Sequence, residues 1–266
     1  MIGALPEQSD MPETGVFPGP NSFFRLTTAN TSQSPVATMV ERFFSINVPD
    51  SPDNAMMLLT GPPSSGKTSL LFQFAFNSIV NTDDKSVVFI CSRRKLSTKP
   101  PFLSQGIDPS SDVFDRIQMK YVEDEEGINK FFAAFHMHDT FPVLVIIDDL
   151  GEFFDEKNCQ QRYNSPRGRE LAIARTLALC CNAINHANEK GPCMLLVSDT
   201  HHGDTPRLLH IYKGWLNSIF TIKGDGIGSF ILKNNSSLTK SAKYSIALQY
   251  LVLEEIYETE EQKYHL

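Results

Sequence analysis

The eight residues Gly61-Pro62-Pro63-Ser64-Ser65-Gly66-Lys67-Thr68 match G-x-x-x-x-G-K-[ST] at every fixed position. The chemistry this spacing serves is the holding of a polyphosphate. Glycines at the ends let the backbone curl until successive N–H groups point inward at phosphate oxygens. A helix starting at Lys67 adds its positive N-terminal end. Lys67 then reaches the β- and γ-phosphates, the Thr68 hydroxyl ligates Mg²⁺, and Ser69 completes the cofactor-binding set. The second group is Val143-Leu144-Val145-Ile146-Ile147-Asp148-Asp149, an apolar run that delivers carboxylates at the C-terminal end of a strand, where ligands bind in α/β sheets. Asp148 is placed to hold Mg²⁺ through water, because that ion keeps several of its waters. Hydrolysis also needs a residue that orients the attacking water. The catalytic candidates are Asp149 and Glu152, the aspartate being one methylene shorter than a glutamate.

These residues need a strand before the loop and a helix after it, and the pattern supplies both. Ala55 to Thr60 is a short continuous apolar strand, and Lys67 to about Val80 reads as a buried helix. Strands are expected over Ser86 to Cys91, Ile117 to Val122, Pro142 to Ile147 and Cys193 to Val197. Helices are expected over Asp124 to His138, with an acidic first turn, and over Pro166 to Lys190, between Ser165-Pro166 and Gly191-Pro192. This alternation builds a parallel sheet covered by helices. Ser218 to Lys223, Ser229 to Lys233 and the alternating Tyr244, Ile246, Leu248, Tyr250 are expected to extend it with antiparallel strands. The fold class is therefore α/β, mainly parallel, flanked by helices, with C-terminal antiparallel strands. Residues 1–34 read as a disordered tail rich in Pro, Gly, Ser, Thr and Asn. A short docking helix follows Ser34-Pro35, the domain runs over 35–253, and 254–266 is an acidic solvated tail.

Composition bounds the function. The 266 residues are 41% hydrophobic and 21% charged, which excludes wholesale disorder and provides a sizeable core. A net charge of −7 lacks the general basic field of a stand-alone nucleic-acid binder, so any such contact is local or supplied by a partner. The five cysteines are odd in number, and three lie in apolar runs, which suits a reducing, intracellular compartment. Residues 1–20 carry three acidic residues and four prolines without an apolar stretch, so no secretory signal is expected. The apolar run Phe141 to Ile147 is too short to span a bilayer, and no membrane association is expected.

Two strands between the phosphate loop and the Asp148 strand, with short antiparallel strands after Val197, give an order that resembles the RecA-like P-loop NTPase core. Within that class the chain resembles the small recombinase paralogue that partners a SWIM-type zinc-finger protein, the ATPase-like subunit of a Shu-type complex. The resemblance is carried by GPPSSGKTSLLF (Gly61 to Phe72), VVFICSRRKL (Val87 to Leu96), IQMKY (Ile117 to Tyr121) and VIIDDLGEFF (Val145 to Phe154). It covers about 200 residues, from near Ala55 and fading after Val197. It implies a nuclear protein that binds ATP and Mg²⁺ and works in a heterodimer. Its role would be to help RecA-type recombinase filaments assemble on single-stranded DNA in homologous recombination repair. Lys67 and Thr68 match the loop pair and Asp148 the strand-end acid. Active recombinases place a glutamate just after the second strand, whereas this chain has Ser92-Arg93-Arg94-Lys95. ATP turnover, DNA-dependent where it occurs, is therefore expected to be weak, partner-dependent or absent.

Candidate DNA contacts are Arg93 and Arg94, with Lys95 and Lys99, a solvated basic turn being the alternative. Arg207, with His201 and His202, follows the fifth strand where recombinases carry a DNA-binding loop, a plain surface loop with chance histidines being the favoured alternative. Lys240 and Lys243, with Lys233, flank a polar turn and could touch backbone phosphates. Phe72-Gln73-Phe74-Ala75 and Phe131-Phe132-Ala133-Ala134 both fit the F-x-x-A docking pattern of recombinases, but two matches on core-like helices read as coincidence. Two further functions stay open. One is a small-molecule P-loop kinase with Arg162, Arg167 and Arg169 on a lid, and the other a scaffold that uses the fold without nucleotide.

Overall fold

The computed structural model describes residues 55–154, 162–163, 165–201, 203, 208–226, 228–235 and 240–258. The tail over 1–34, the helix after Ser34-Pro35, Cys159, His202 and Arg207 lie outside the described residues, as does the chain beyond 258.

Among the described residues nine strands form one sheet in the order β3-β2-β4-β5-β1-β6-β7-β8-β9. They are β1 (Met56–Gly61), β2 (Val87–Cys91), β3 (Ile117–Tyr121), β4 (Leu144–Ile147), β5 (Met194–Thr200), β6 (Ser218–Gly224), β7 (Ser229–Asn234), β8 (Lys240–Ala247) and β9 (Tyr250–Glu258). The helices are α1 (Lys67–Ile79), α2 (Arg93–Thr98), α3 (Glu125–Ala133), α4 (Leu150–Phe153), α5 (Pro166–Asn188) and α6 (Leu209–Tyr212). From β3 to β6 every pairing is parallel, with Leu58 of β1 opposite both Val197 of β5 and Ile219 of β6. From β6 to β9 every pairing is antiparallel. The structure is thus α/β with a mostly parallel sheet and a C-terminal antiparallel extension.

Because strand side chains alternate, the central strands feed a core on each face. Leu58, Ile90, Val145, Ile147 and Val197 pack with Ile128, Phe132, Ile173, Leu177 and Ile184 from α3 and α5. Leu59, Phe89, Ile146 and Leu196 pack on the other side with Leu70, Leu71, Phe74 and Ile79 of α1. There Phe72 stacks on Phe89 with ring centroids 4.4 Å apart. Of the two F-x-x-A phenylalanines, Phe72 is buried and Phe131 is half-buried against the opposite core. Among the described residues four free cysteines are buried too, Cys91 in the α1-side core and Cys180, Cys181 and Cys193 in the opposite one. Burial pushes the Cys193 thiol up to about 12.

Both helices on this face are capped at their first turn. Ser165 Oγ accepts the Gly168 N–H at 3.1 Å with Pro166 opening α5, and Asp124 accepts the Gly127 N–H at 3.2 Å ahead of α3. Four expectations are corrected. The strand from Ser218 is parallel to β1, because the connection after Thr200 carries α6 and is long enough for a crossover. The helix expected to His138 ends at Ala133 and tightens into a 3₁₀ turn over Phe135–Met137. The alternation from Tyr244 to Tyr250 hides a hairpin in which Leu248 and Gln249, with φ of 50° and 65°, turn the chain between β8 and β9. Strand β9 then carries Glu255 to Glu258 in register with β8, with the register shifting at Glu254, so the residues read as the start of a solvated tail belong to the sheet. Among the described residues no helix is long and apolar enough to cross a membrane.

Candidate functional site

The C-terminal ends of β1, β4 and β5 meet in one place, because β5 lies between the other two. Each ends in polar residues: β1 in the loop of 61–66, β4 in Asp148-Asp149, and β5 in Ser198-Asp199-Thr200. The loop has the backbone that its glycines permit. Gly66 sits at φ +78°, and a Cβ there would come within 2.9 Å of Ile246 Cδ1. A Cβ on Gly61 would lie 2.7 Å from Ile222 Cβ, so β1 and β6 approach as closely as they do only with glycine there. Ser65 Oγ donates to the Pro62 carbonyl at 2.8 Å, and Tyr244 Oη on β8 donates to the Ser65 carbonyl at 2.7 Å. Pro63 and Ser64 are exposed at the crest. Within α1 the first bonded N–H is that of Leu70, to Gly66 O at 2.9 Å, which leaves the preceding N–H groups at the positive helix end without intrahelical partners.

Lys67 is buried and turns back on the loop, donating to the Gly61 carbonyl at 3.2 Å and the Pro62 carbonyl at 2.9 Å. Burial lowers its proton affinity, and the charges of Asp149 and Asp148 act in the opposite direction. Thr68 Oγ1 donates to Asp148 Oδ2 at 2.9 Å, which brings the two expected metal ligands together across the sheet. Ser198 Oγ donates to Asp148 Oδ1 at 2.9 Å and accepts the Asp149 N–H at 2.8 Å. Desolvation raises the Asp148 carboxyl above its usual range, with Lys95 opposing and Asp149 adding. A hydroxyl and a carboxylate are the hard oxygen donors Mg²⁺ takes, and a divalent charge would offset that desolvation. Ser69, in contrast, is buried with its Oγ accepting the Phe102 N–H at 2.9 Å, so it fastens the 102–105 segment to α1.

The two catalytic candidates share a cation. Asp149, at φ 60°, accepts the Thr200 N–H at 3.0 Å and Thr200 Oγ1 at 2.9 Å, and pairs closely with Lys95 Nζ. The same ammonium lies 3.1 Å from Glu152 Oε2. Burial alone would lower the Lys95 pKa, but the carboxylates of Asp148, Asp149 and Glu152 outweigh it and hold it above the usual lysine range. Asp199 accepts the Gly151 N–H at 3.2 Å, and desolvation, helped by the charge of Asp149, pushes it up to about 6. The fully buried Tyr212 hydroxyl lies near this carboxylate without meeting hydrogen-bond geometry.

The candidate DNA contacts do not converge. Arg93 and Arg94 are exposed on α2 after β2, with the Arg93 guanidinium 4.7 Å over the Tyr121 ring. Lys243 is on β8, separated from β2 by β4, β5, β1, β6 and β7, and is ion-paired with Asp225 at 2.7 Å and Glu254 at 3.8 Å. Lys240 opens β8, and its side chain lies outside the described residues. His201 is buried, its Nδ1 2.8 Å from Thr60 Oγ1. Arg162, offered for a kinase lid, is paired with Asp124, Glu125 and Glu126 around the start of α3. Sequence reasoning missed Ser198, Asp199, Thr200 and Tyr244 as parts of the site. For the first three a signal existed: an apolar run ending in polar residues, the same sign that selected Asp148. Tyr244 had none, since only the sheet order carries β8 to the loop.

Compared with known proteins, the chain matches no family model, and no curated protein matches it.

Proposed function

We propose that the chain binds ATP·Mg²⁺ in the loop of 61–68 and hydrolyses it weakly at most. On this reading it is a RecA-like recombinase paralogue that acts in the nucleus with a SWIM-type zinc-finger partner. Together they assist recombinase filaments on single-stranded DNA. The observation that carries the nucleotide part is the 2.9 Å contact between Thr68 Oγ1 and Asp148 Oδ2 beside a buried lysine and a glycine-built loop. Gly61 to Gly66 and the start of α1 surround the phosphates, Lys67 exchanges its loop carbonyls for phosphate oxygens, and Thr68 and Asp148 hold the metal. Bound Mg²⁺ supplies charge neutralisation at the phosphates. Slow turnover is supported by the engagement of Asp149 and Glu152 with Lys95. The accessory role and the partners are supported by the four segments that resemble the recombinase paralogues.

Two measurements test this reading. ATP·Mg²⁺ should raise the melting temperature of the purified chain, because a ligand specific for the native state stabilises it. Lys67→Ala should abolish both that rise and nucleotide binding in a direct titration, and equal affinity in the variant would overturn the loop assignment. Purification of the tagged chain from its cells should bring down a SWIM-type zinc-finger protein and a recombinase. Recovery of neither, with nucleotide binding intact, would leave an ATP-binding protein of another class.

A further inference from the structure

Lys95 stands where the site would otherwise present a free carboxylate. Its backbone is fixed by its own cap, since Ser92 Oγ accepts the Lys95 N–H at 3.4 Å at the start of α2. Its ammonium bridges Asp149 and Glu152, which reach it from the turn after β4. The two acids are not equivalent. Asp149 is filled by the N–H and hydroxyl of Thr200 as well as by Lys95. Glu152 is about one-third exposed and meets Lys95 through one oxygen at 3.1 Å. The Gly151 N–H is anchored on Asp199 Oδ1 at 3.2 Å, which fixes the turn that presents Glu152.

We propose that Lys95 is a latch that keeps Glu152 from orienting water, so that the site holds nucleoside triphosphate without consuming it. This rests on the nucleotide reading above. With the ammonium removed, Glu152 accepts a proton from water while the water oxygen bonds to the γ-phosphorus. The bond from that phosphorus to the bridging oxygen breaks, ADP leaves with the electron pair, and the proton passes to solvent. Lys95 thus acts through Glu152, as a positioning residue whose removal should increase activity.

The test compares wild type, Lys95→Gln, Lys95→Met, Lys95→Arg and the double variant Lys95→Gln/Glu152→Gln. ATP turnover is measured beside the affinities for ATP·Mg²⁺ and ADP·Mg²⁺. Removing the charge should raise turnover roughly 100-fold, the lower range of what a positioned base contributes. Lys95→Arg should stay slow, and the double variant should fall back to the wild-type rate. The ratio of ATP to ADP affinity should remain that of wild type, because the latch acts through the carboxylates of Asp149 and Glu152. Two neutral replacements are included so that poor folding of one does not decide the result. Intact nucleotide binding with no gain in turnover overturns the latch. A selective loss of ATP affinity without faster turnover also overturns it, making Lys95 a phosphate ligand. Wild-type protein that binds neither nucleotide refutes the underlying nucleotide reading.

Discussion

A carboxylic acid placed at the end of a buried strand has to be solvated by the protein, and Asp199 is incompletely so. Its pKa rises from the ordinary 3.8 to about 6, desolvation being the main cause. The unfolded chain loses that proton near 3.8 and the native chain near 6. Native stability from this group is therefore complete below the lower value, declines as pH rises through the window, and levels off above it. The sign is opposite to that of an aspartate in a salt bridge. The full shift amounts to at most about 3 kcal/mol. Asp199→Asn keeps an acceptor for the Gly151 N–H and removes the titration. Urea unfolding of the variant should show a weaker decline in stability between about pH 4 and 6, with a gain of about 1–3 kcal/mol over wild type at pH 7. Identical pH profiles would refute the assignment. At this scale the sequence is legible where spacing itself encodes geometry. Gly61, Gly66, Lys67 and Thr68 are bound to one another by the shape of a turn, and Asp148 is marked by the apolar run before it. Lys95 was legible only as a charge, because its partners come from the end of β4, two strands further along the chain.

The phosphate loop depends on a hairpin far from it in sequence. The β8–β9 pair presses Ile246 against Gly66, and Tyr244 bonds the Ser65 carbonyl. Gly66→Ala therefore meets both a positive φ and a contact of 2.9 Å with Ile246 Cδ1. It should cost about 1–3 kcal/mol of stability and at least tenfold in ATP affinity, as read by chemical denaturation and nucleotide titration. Tyr244→Phe leaves the Ser65 carbonyl without that donor, which should cost about 1–3 kcal/mol and weaken nucleotide binding while preserving the sheet. Unchanged affinity in both variants would show that the hairpin does not brace the loop. None of this was readable beforehand. A two-residue turn with positive φ is usually announced by Asn-Gly or Asp-Gly, and here Leu248-Gln249 continues the strand alternation instead. The direction of β6 was equally hidden, because short apolar strands look alike whether their neighbour runs with them or against them.

For the molecule as a whole, the alternation of apolar runs and amphipathic helices disclosed the class of the fold. The strand order did not follow from it. Parallel neighbours are chosen by crossovers, so β5 lies between β1 and β4 although the chain visits it last of the three. That interleaving makes both faces of the sheet depend on the same three strands, and with them on one site. The burial of the cysteines adds a consequence: each face carries its own internal stopwatch. A thiol-modifying reagent should reach Cys91 and Cys193, which lie on opposite faces, only during openings of the native state. Peptide mass spectrometry over a time course should show the two alkylated at a common rate, and ATP·Mg²⁺ should slow both by the same factor. Divergent rates would show that the faces come apart separately, with Cys91 timing the α1 layer and Cys193 the layer built by α3 and α5.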